Sequence, residues 1–277
     1  GNRDLTQWVN IERNKCLPNA IHEGEQAIFF GCDNALYELK NGEINYVADF
    51  NKDIYSIVKG KKNDIWVGTN GDGLYRYDFE TFEVQRYAFD SNEYSLLNVN
   101  MVWFLRKDKN GDIYGLLGQH PEEAGSAIIH YDDDNDAIAV IPAEYKYSGY
   151  LDIGDKLLLL RGFTQEKRNL FWFDKLTHQR EQLPFETGYV HAAVRQHDEV
   201  WLATADMGLV HLNISSGQLN RVSLDIEGKV TGIYLDEKKD ELIVSIKNHI
   251  YQLNKSLNGD FKTSCLSCTL AIELPTL

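Results

Sequence analysis

The sequence contains little proline, little cysteine and no long apolar run. Five of its 277 residues are proline and four are cysteine. A membrane-spanning helix needs about 18 or more consecutive apolar residues, and the leucine run Leu157 to Leu160 is far shorter than that. We therefore expect no direct insertion of this chain into a membrane.

Basic residues are also scarce. The chain has 28 lysines and arginines against 42 aspartates and glutamates, which gives a formal net charge of −14. Proteins that bind nucleic acid neutralise its phosphates with a basic stripe, and the sequence shows no such stripe. We therefore expect no nucleic-acid partner and no docking on an anionic lipid surface.

Familiar catalytic motifs are missing as well. The sequence has no Gly-x-Ser-x-Gly nucleophile elbow, no His-Glu-x-x-His zinc motif and no Ser-x-Asp-x-Gly-x-Thr-Trp box of the kind that sialidases carry. Its eight histidines are scattered along the chain. These absences predict a non-catalytic protein that uses no cofactor and no metal ion.

One phrase, by contrast, occurs twice. Asp64-Ile-Trp-Val-Gly-Thr69 leads to Gly73-Leu-Tyr-Arg-Tyr-Asp78, and Glu199-Val-Trp-Leu-Ala-Thr204 leads to Gly208-Leu-Val-His-Leu-Asn213. The two copies lie 135 residues apart without a gap, which is three periods of 45. An internal period of about 40 to 45 residues is typical of a β-propeller, in which each repeat is one blade that packs on its neighbours.

Strand-like segments fill the rest of this period. Short runs rich in Val, Ile, Tyr, Phe and Trp alternate with turn residues such as Asn41-Gly42 and Asn110-Gly111, and no segment shows a sustained helical period. These runs and turns divide the chain into six units of four predicted strands each. The sequence thus predicts an all-β protein, a β-propeller of four-stranded antiparallel blades, with six blades favoured and seven as the alternative.

The predicted propeller occupies the whole chain, residues 1–277, as a single domain. A propeller must pair its first and last blades to avoid leaving open sheet edges. Two terminal segments, residues 5–11 and residues 266–274, have strand-like patterns. Either one of them closes a six-bladed ring, or both together are the remains of a seventh blade.

The repeated phrase resembles the two-component regulator propeller repeat. The resemblance is carried by Asp64 to Asp78 and by the residues that follow, namely Thr81, Phe82, Tyr87, Ser95-Leu96 and Asn98. It is close over residues 53–114, fair over 190–222 and weak elsewhere. In that family such propellers form the periplasmic sensory part of membrane-bound regulators. The resemblance therefore implies a periplasmic or otherwise extracytoplasmic sensor, whose signalling partner or output domains lie outside this chain.

The four cysteines carry information about the compartment. Cys16 and Cys32 flank the first predicted hairpin, whereas Cys265 and Cys268 lie near the predicted closure seam. An even count at such positions is compatible with disulfides in an oxidising compartment, formed within each pair or across the seam. Four unlinked cysteines are an open alternative, and a zinc site around Cys265-x-x-Cys268 is another.

The candidate ligand site follows from propeller geometry. Innermost strands and the loops between second and third strands converge at one mouth of the channel, where aromatic rings beside a few polar groups suit a sugar or another small polar ligand. The predicted ligand-binding residues are Asn70, Asp72, Trp103, His120, Tyr150, Arg161, His191 and Asp206. Arg161 either binds a carboxylate of the ligand or forms an ion pair with a residue such as Asp206.

These patterns together predict a non-catalytic, extracytoplasmic sensor that binds a small polar ligand such as a saccharide and serves as the input part of a bacterial signalling system. Two other functions fit the same fold. A metal-dependent lactonase or lyase propeller needs carboxylates, amides or histidines that converge on the channel. A protein-interaction scaffold needs only suitable loops, since a fold does not dictate its function.

Overall fold

The computed structural model describes residues 18–24, 26–89, 100–118, 126–143, 147–161, 169–255 and 261–268. All regular elements within these residues are β-strands, and none of them is a helix that could cross a membrane. The strands form six sheets of four strands each, with consecutive strands antiparallel. This confirms the predicted all-β architecture of four-stranded propeller blades, six of which lie within the described residues.

The chain divides into two compact units, Gly1–Lys146 and Tyr147–Leu277. The first unit contains three blades. Blade 1 consists of β1 (Pro18–Glu23), β2 (Ile28–Cys32), β3 (Ala35–Lys40) and β4 (Glu43–Asp49). Blade 2 consists of β5 (Ile54–Lys59), β6 (Asp64–Thr69), β7 (Leu74–Asp78) and β8 (Val84–Tyr87). Blade 3 consists of β9 (Met101–Lys107), β10 (Ile113–Gly118), β11 (Ser126–Asp132) and β12 (Ala137–Ala143).

The second unit contains the other three blades. Blade 4 consists of β13 (Tyr147–Asp152), β14 (Lys156–Arg161), β15 (Asn169–Asp174) and β16 (Arg180–Glu186). Blade 5 consists of β17 (Val190–Gln196), β18 (Glu199–Thr204), β19 (Gly208–Asn213) and β20 (Leu219–Arg221). Blade 6 consists of β21 (Val230–Asp236), β22 (Glu241–Ile246), β23 (His249–Lys255) and β24 (Phe261–Cys265).

The first strand of each blade is innermost within its unit. In the first unit β1 packs beside β5 and β5 beside β9, and in the second β13 packs beside β17 and β17 beside β21. The second strands β6 and β10 are buried throughout, whereas the outermost strand β8 is mostly exposed. A strand covered on both faces reads as a nearly continuous apolar run, which explains the sequence Ile65-Trp-Val67.

The threonine of the repeated phrase closes the turn between second and third strands in both copies. The hydroxyl of Thr69 donates to the carbonyl oxygen of Gly73 at 2.8 Å, and the hydroxyl of Thr204 donates to that of Gly208 at 2.9 Å. A hydroxyl that satisfies a turn carbonyl in this way stabilises the turn locally. The phrase is therefore structural in both blades.

Gly68 in this phrase allows blades 2 and 3 to approach closely. A Cβ atom at Gly68 would lie 2.5 Å from the carbonyl oxygen of Val102 and 2.5 Å from Oγ of Ser56. We expect Gly68→Ala to lower the free energy of unfolding by about 1–3 kcal/mol, the usual cost of overpacking, in urea denaturation. Gly115→Ala is the matched control, because its Cβ would mainly meet the movable end of Leu105. Equal losses in the two variants would contradict this explanation.

The C-terminal segment differs from the prediction. β24 ends at Cys265, and Leu266 to Cys268 form a bend and a turn instead of the start of a strand over residues 266–274. The Cα atoms of Cys265 and Cys268 are 5.6 Å apart, whereas an extended strand would separate them by about 10 Å. Residues 5–11 and 269–277 lie outside the described residues, so closure of the ring by terminal strands stays a prediction.

The described cysteines are all oxidised. A disulfide joins Cys265 to Cys268, and Cys32 is disulfide-bonded as well. Cys16, the predicted neighbour of Cys32 across the first hairpin, lies outside the described residues. The bond between Cys265 and Cys268 joins the two members of one predicted pair. Cys265 and Cys268 are therefore not paired across the seam.

Candidate functional site

Two predicted ligand-binding residues, Asn70 and Asp72, lie at the turn between β6 and β7. Asp72 accepts hydrogen bonds from the hydroxyl of Tyr75 and from Nδ2 of Asn51, the latter at 2.9 Å, and pairs with Arg86 at 2.6 Å. Burial acts to raise the pKa of Asp72, but these hydrogen bonds and the guanidinium outweigh burial and lower it. Burial and the bond to Asp72 raise the pKa of Tyr75 to about 12. The carboxylate of Asp72 is thus engaged by side chains of blade 2 and of the connection from blade 1.

The predicted residues of the second unit lie on different elements. Tyr150 is on the innermost strand β13, and His191 is on the innermost strand β17, where its ring contacts that of Tyr189 at 5.1 Å. Asp206 is exposed in the turn between β18 and β19. The backbone of Arg161 ends β14, but its side chain and the whole of His120 lie outside the described residues. The part of these residues in ligand binding stays a prediction.

Trp103 lies in the wall of a cavity of about 490 Å³ against the innermost strands of the first unit. The same wall contains three exposed large apolar side chains, those of Ile21, Tyr55 and Phe104, together with Arg106. Concave surfaces with exposed aromatic side chains and a few polar groups are typical of small-molecule sites. Trp103 is therefore the predicted residue whose surroundings are most like a ligand site.

A larger cavity, of about 1090 Å³, lies in the same unit at the turns between the first and second strands of the blades. Consecutive antiparallel strands turn at alternate ends of a sheet, so these turns are at the opposite end from Asn70 and Asp72. The walls of the two cavities share Ile21 and Arg106. The cavities therefore adjoin each other.

Cationic side chains dominate this larger wall. Two glutamates, Glu23 and Glu38, face six lysines or arginines, which are Lys40, Lys59, Lys61, Lys62, Arg106 and Lys107. The chain as a whole carries a formal net charge of −14. We call this feature the basic cavity, because its wall has more basic than acidic side chains although the chain as a whole is acidic.

Lys59 is half-buried in the basic cavity. Its ammonium group lies 4.5 Å from the ring centre of Phe79 and 5.8 Å from that of Phe29. Burial lowers the pKa of Lys59, although Asp64 and Glu38 act in the opposite direction. An anion bound beside this ammonium group would stabilise its charged form, as would any nearby opposite charge.

His22 experiences the same surplus of positive charge. Burial lowers the pKa of its imidazole, and the charges of Lys107, Arg106 and Lys59 lower it further, against a smaller opposing effect of Glu23. Three basic side chains from β5 and β9 thus act on one group of β1. The cavity is electrostatically suited to an anion.

Two of the six cations are already paired. Lys61 lies 3.6 Å from Asp133 and 3.5 Å from Asp134, and Lys62 lies 3.6 Å from Asp133. Within the described ranges, the cations without an ion pair are Lys40, Lys59, Arg106 and Lys107. Arg106 and Lys107 each donate one hydrogen bond to a backbone carbonyl oxygen, at 2.9 Å to Leu105 and at 3.1 Å to Gly60. Their remaining N–H groups, with the ammonium groups of Lys40 and Lys59, are the donors that an anionic ligand would meet.

Sequence reasoning missed the basic cavity, although a signal for it exists. The turn after β5 reads Lys59-Gly-Lys-Lys62, and β9 ends in Arg106-Lys107. Both segments end innermost strands, and strands β5 and β9 pack side by side. The charges lie far apart along the chain and form a basic surface only when neighbouring blades pack.

Comparison with known proteins agrees with this architecture. The model of the family described as "Two component regulator propeller" matches residues 49–71, and no curated protein sequence matches the chain. The extracellular domain of BT4673 from B. thetaiotaomicron is a similar solved structure, with a TM-score of 0.65 at 16% identity over 91% of this chain and 35% of that one. This chain thus spans about a third of the length of that neighbour.

Two other solved structures share the fold. PorZ, a surface component of the type-IX secretion system of Porphyromonas gingivalis, has a TM-score of 0.63 at 15% identity, over 85% of this chain and 40% of that one. The computationally designed Ika8 protein has a TM-score of 0.64 at 12% identity, over 87% of this chain and 72% of that one. The family match covers β5 and the first part of the phrase in blade 2, up to Gly71. The chain is therefore a β-propeller that carries the two component regulator propeller repeat.

Proposed function

We propose that this chain is a non-catalytic, extracytoplasmic ligand-recognition propeller that binds a small anionic ligand in the basic cavity. The observation that carries the proposal is the group of four unpaired cations, Lys40, Lys59, Arg106 and Lys107, in a wall of a strongly acidic protein. Hydrogen bonds from such cations to carboxylate, sulfate or phosphate groups are the strong ones in proteins. A neutral ligand would leave the surplus of positive charge in this wall uncompensated.

The proposed place of this chain is the input side of a bacterial signalling system. The repeat in blade 2 supports it, because it is described as a two component regulator propeller and the resemblance to that family implies a sensory part. BT4673 supports the extracytoplasmic location, since the similar structure is the extracellular domain of a protein described as a one component or hybrid two component system. PorZ is a bacterial surface component. The signalling partner or output domain would then lie outside this chain.

The adjoining cavities favour an acidic saccharide as the ligand. The basic cavity offers cations for an acidic group, while the smaller cavity offers the rings of Tyr55, Trp103 and Phe104. Sugar rings stack on aromatic faces, and their hydroxyl groups bind polar side chains. A uronic acid or a sulfated sugar would use both surfaces at once.

Ligand binding can be measured with matched saccharides. A thermal-shift and calorimetric screen would compare glucose with glucuronate, and plain oligosaccharides with their sulfated forms. The anionic member of a pair should raise the melting temperature through mass action, and its affinity should fall with added salt. The double variant Arg106→Gln/Lys107→Gln should weaken binding by about 10-fold or more, since a hydrogen bond to a charged group contributes about 1.5–3 kcal/mol.

The control variant is Lys238→Gln/Lys239→Gln, which removes two exposed charges from the turn between β21 and β22 in the second unit. It changes the net charge equally and should leave the affinity unchanged. Binding that is weakened equally by both variants would indicate a general charge effect. Binding of neutral and anionic sugars with equal affinity would reject the anion site.

A further inference from the structure

A second group of reactive side chains lies in blade 6, in the other unit. His249 begins β23, and Cys265 and Cys268 bound the turn that follows β24. One ligand atom from each of the three residues lies within 4.8 Å of the other two. Nδ1 of His249 is 3.9 Å from Sγ of Cys268. His249 and Cys268 are exposed, and Cys265 is half-buried, so solutes reach the group.

The turn is fixed next to His249 by contacts that do not involve the disulfide. The N–H of Leu266 donates to the carbonyl oxygen of Ile250 at 2.8 Å. The N–H of Ile250 donates to Oγ of Ser267 at 3.0 Å. A disulfide that closes so short a loop also constrains the unfolded chain least. Reduction should therefore leave the turn, and both sulfur atoms, beside His249.

The backbone of the turn already points a donor at one sulfur. The N–H of Cys268 lies 3.0 Å from Sγ of Cys265. This contact holds Cys265 and Cys268 next to each other in the turn, so both sulfur atoms stay on the side of the turn that faces His249.

We propose that Cys265, Cys268 and His249 form a redox-gated zinc site. A dithiol reductant supplies two electrons and two protons that convert the disulfide to two thiols, and leaves as its own disulfide. A phosphine supplies the two electrons while one water molecule supplies the two protons and the oxygen of the phosphine oxide. Zinc binding then displaces those two protons, and the two thiolates and the imidazole bind the ion. In the oxidised form neither sulfur is a thiolate, so the site does not bind the metal ion.

The donor set and its spacing favour zinc. Thiolate and imidazole ligands are those that Zn²⁺ prefers. Zinc bond lengths of about 2.3 Å to sulfur and about 2.0 Å to nitrogen place tetrahedral sulfur and nitrogen ligands about 3.5 Å apart. This is close to the 3.9 Å between Sγ of Cys268 and Nδ1 of His249. Three protein ligands leave the fourth position to water. The negative charge of the chain also attracts a divalent cation.

Cobalt substitution tests the site on the full chain. The protein would be reduced with a phosphine without oxygen, cleared of reductant and titrated with Co²⁺. Thiolate-to-cobalt absorption and the visible bands of tetrahedral Co²⁺ should appear at one equivalent and vanish when Zn²⁺ is added. The oxidised protein should show neither band. His249→Ala should weaken binding by more than about 10-fold, the lower end of the loss that even an outer-shell partner causes.

Two controls isolate the site. Cys265→Ser/Cys268→Ser retains Cys32, which the phosphine also reduces, and should lose the cobalt bands. His197→Ala removes an imidazole that is exposed elsewhere in the same unit and should bind Co²⁺ like the parent. Equal binding by the oxidised and reduced proteins would reject the redox gate. Undiminished binding by His249→Ala, or bands in the double serine variant, would reject this ligand set.

Discussion

Trp66→Ala is expected to lower the free energy of unfolding by about 3–5 kcal/mol, the usual loss for a buried tryptophan or phenylalanine. The side chain of Trp66 is fully buried. Its ring lies 5.5 Å from that of Tyr87 in blade 2 and 4.3 Å from that of Tyr131 in blade 3, so it packs between two blades. Urea denaturation of the full chain measures the loss.

Trp201→Ala provides the comparison, because Trp201 occupies the same position in the second copy of the phrase. Trp201 packs 5.2 Å from Phe261 of the next blade and is almost fully buried. Both variants should bind the ligand like the parent at temperatures where they remain folded. A Trp66→Ala protein that melts like the parent but no longer binds ligand would make Trp66 a site residue instead of a core residue.

Arg76→Met is expected to cost about 3–5 kcal/mol, the range for breaking a buried ion pair by removing one partner. Nε of Arg76 donates to the carboxylate of Asp64 at 2.7 Å, and the two side chains are 13% and 1% exposed. The indole N–H of Trp66 donates to the same carboxylate oxygen at 3.2 Å. Without the guanidinium, Asp64 would be a buried charge that only one indole stabilises.

The loss in Arg76→Met should depend on pH. Burial raises the pKa of Asp64 above its ordinary 3.8, and the Arg76 guanidinium opposes that rise. Removing Arg76 lets the pKa rise further, so the folded state holds its proton more tightly than the unfolded state does. Stability of the variant then falls as the pH rises above 3.8 through the raised pKa. The difference from the parent should be larger at neutral than at mildly acid pH.

The double variant Asp64→Asn/Arg76→Met tests the reason for this loss. It removes the buried charge as well as its partner, and removing both partners of a buried pair costs less than removing one. We expect it to be more stable than Arg76→Met at neutral pH and nearly insensitive to pH in the same range. A double variant as unstable as the single one would place the loss in packing of the Arg76 side chain over Trp66, whose ring centre lies 5.6 Å from the guanidinium.

Much of the fold was predictable because the repeat is local. Continuous apolar runs such as Ile65-Trp-Val67 predict strands that are buried on both faces, and β6 is buried throughout. The threonine at the end of each copy closes the same turn in blades 2 and 5. Residues 266–268 were wrong as the start of a strand, because period-2 alternation over a few residues cannot reveal a turn closed by a Cys265–Cys268 bond, and residues 269–274 lie outside the described residues.

The candidate site was far less predictable. Propeller geometry indicates which turns share one end of the blades, and it correctly groups Asn70 and Asp72 with other second-to-third turns. It does not indicate at which end of the blades a ligand binds. Asp72 is engaged with Arg86 of its own blade and with Asn51 of the connection that precedes it, whereas the cations without an ion pair among the described residues lie at the other end of the first unit.

The sequence by itself determined the all-β architecture, the four-stranded repeat and the chemistry of its turns, because each of these depends on residues within a single blade. Only the tertiary structure decided that Lys40, Lys59 and Lys107 of three different blades line one cavity, and that Trp66 packs on Tyr131. Such contacts depend on how neighbouring sheets pack, and no local pattern of charge or hydrophobicity encodes that packing.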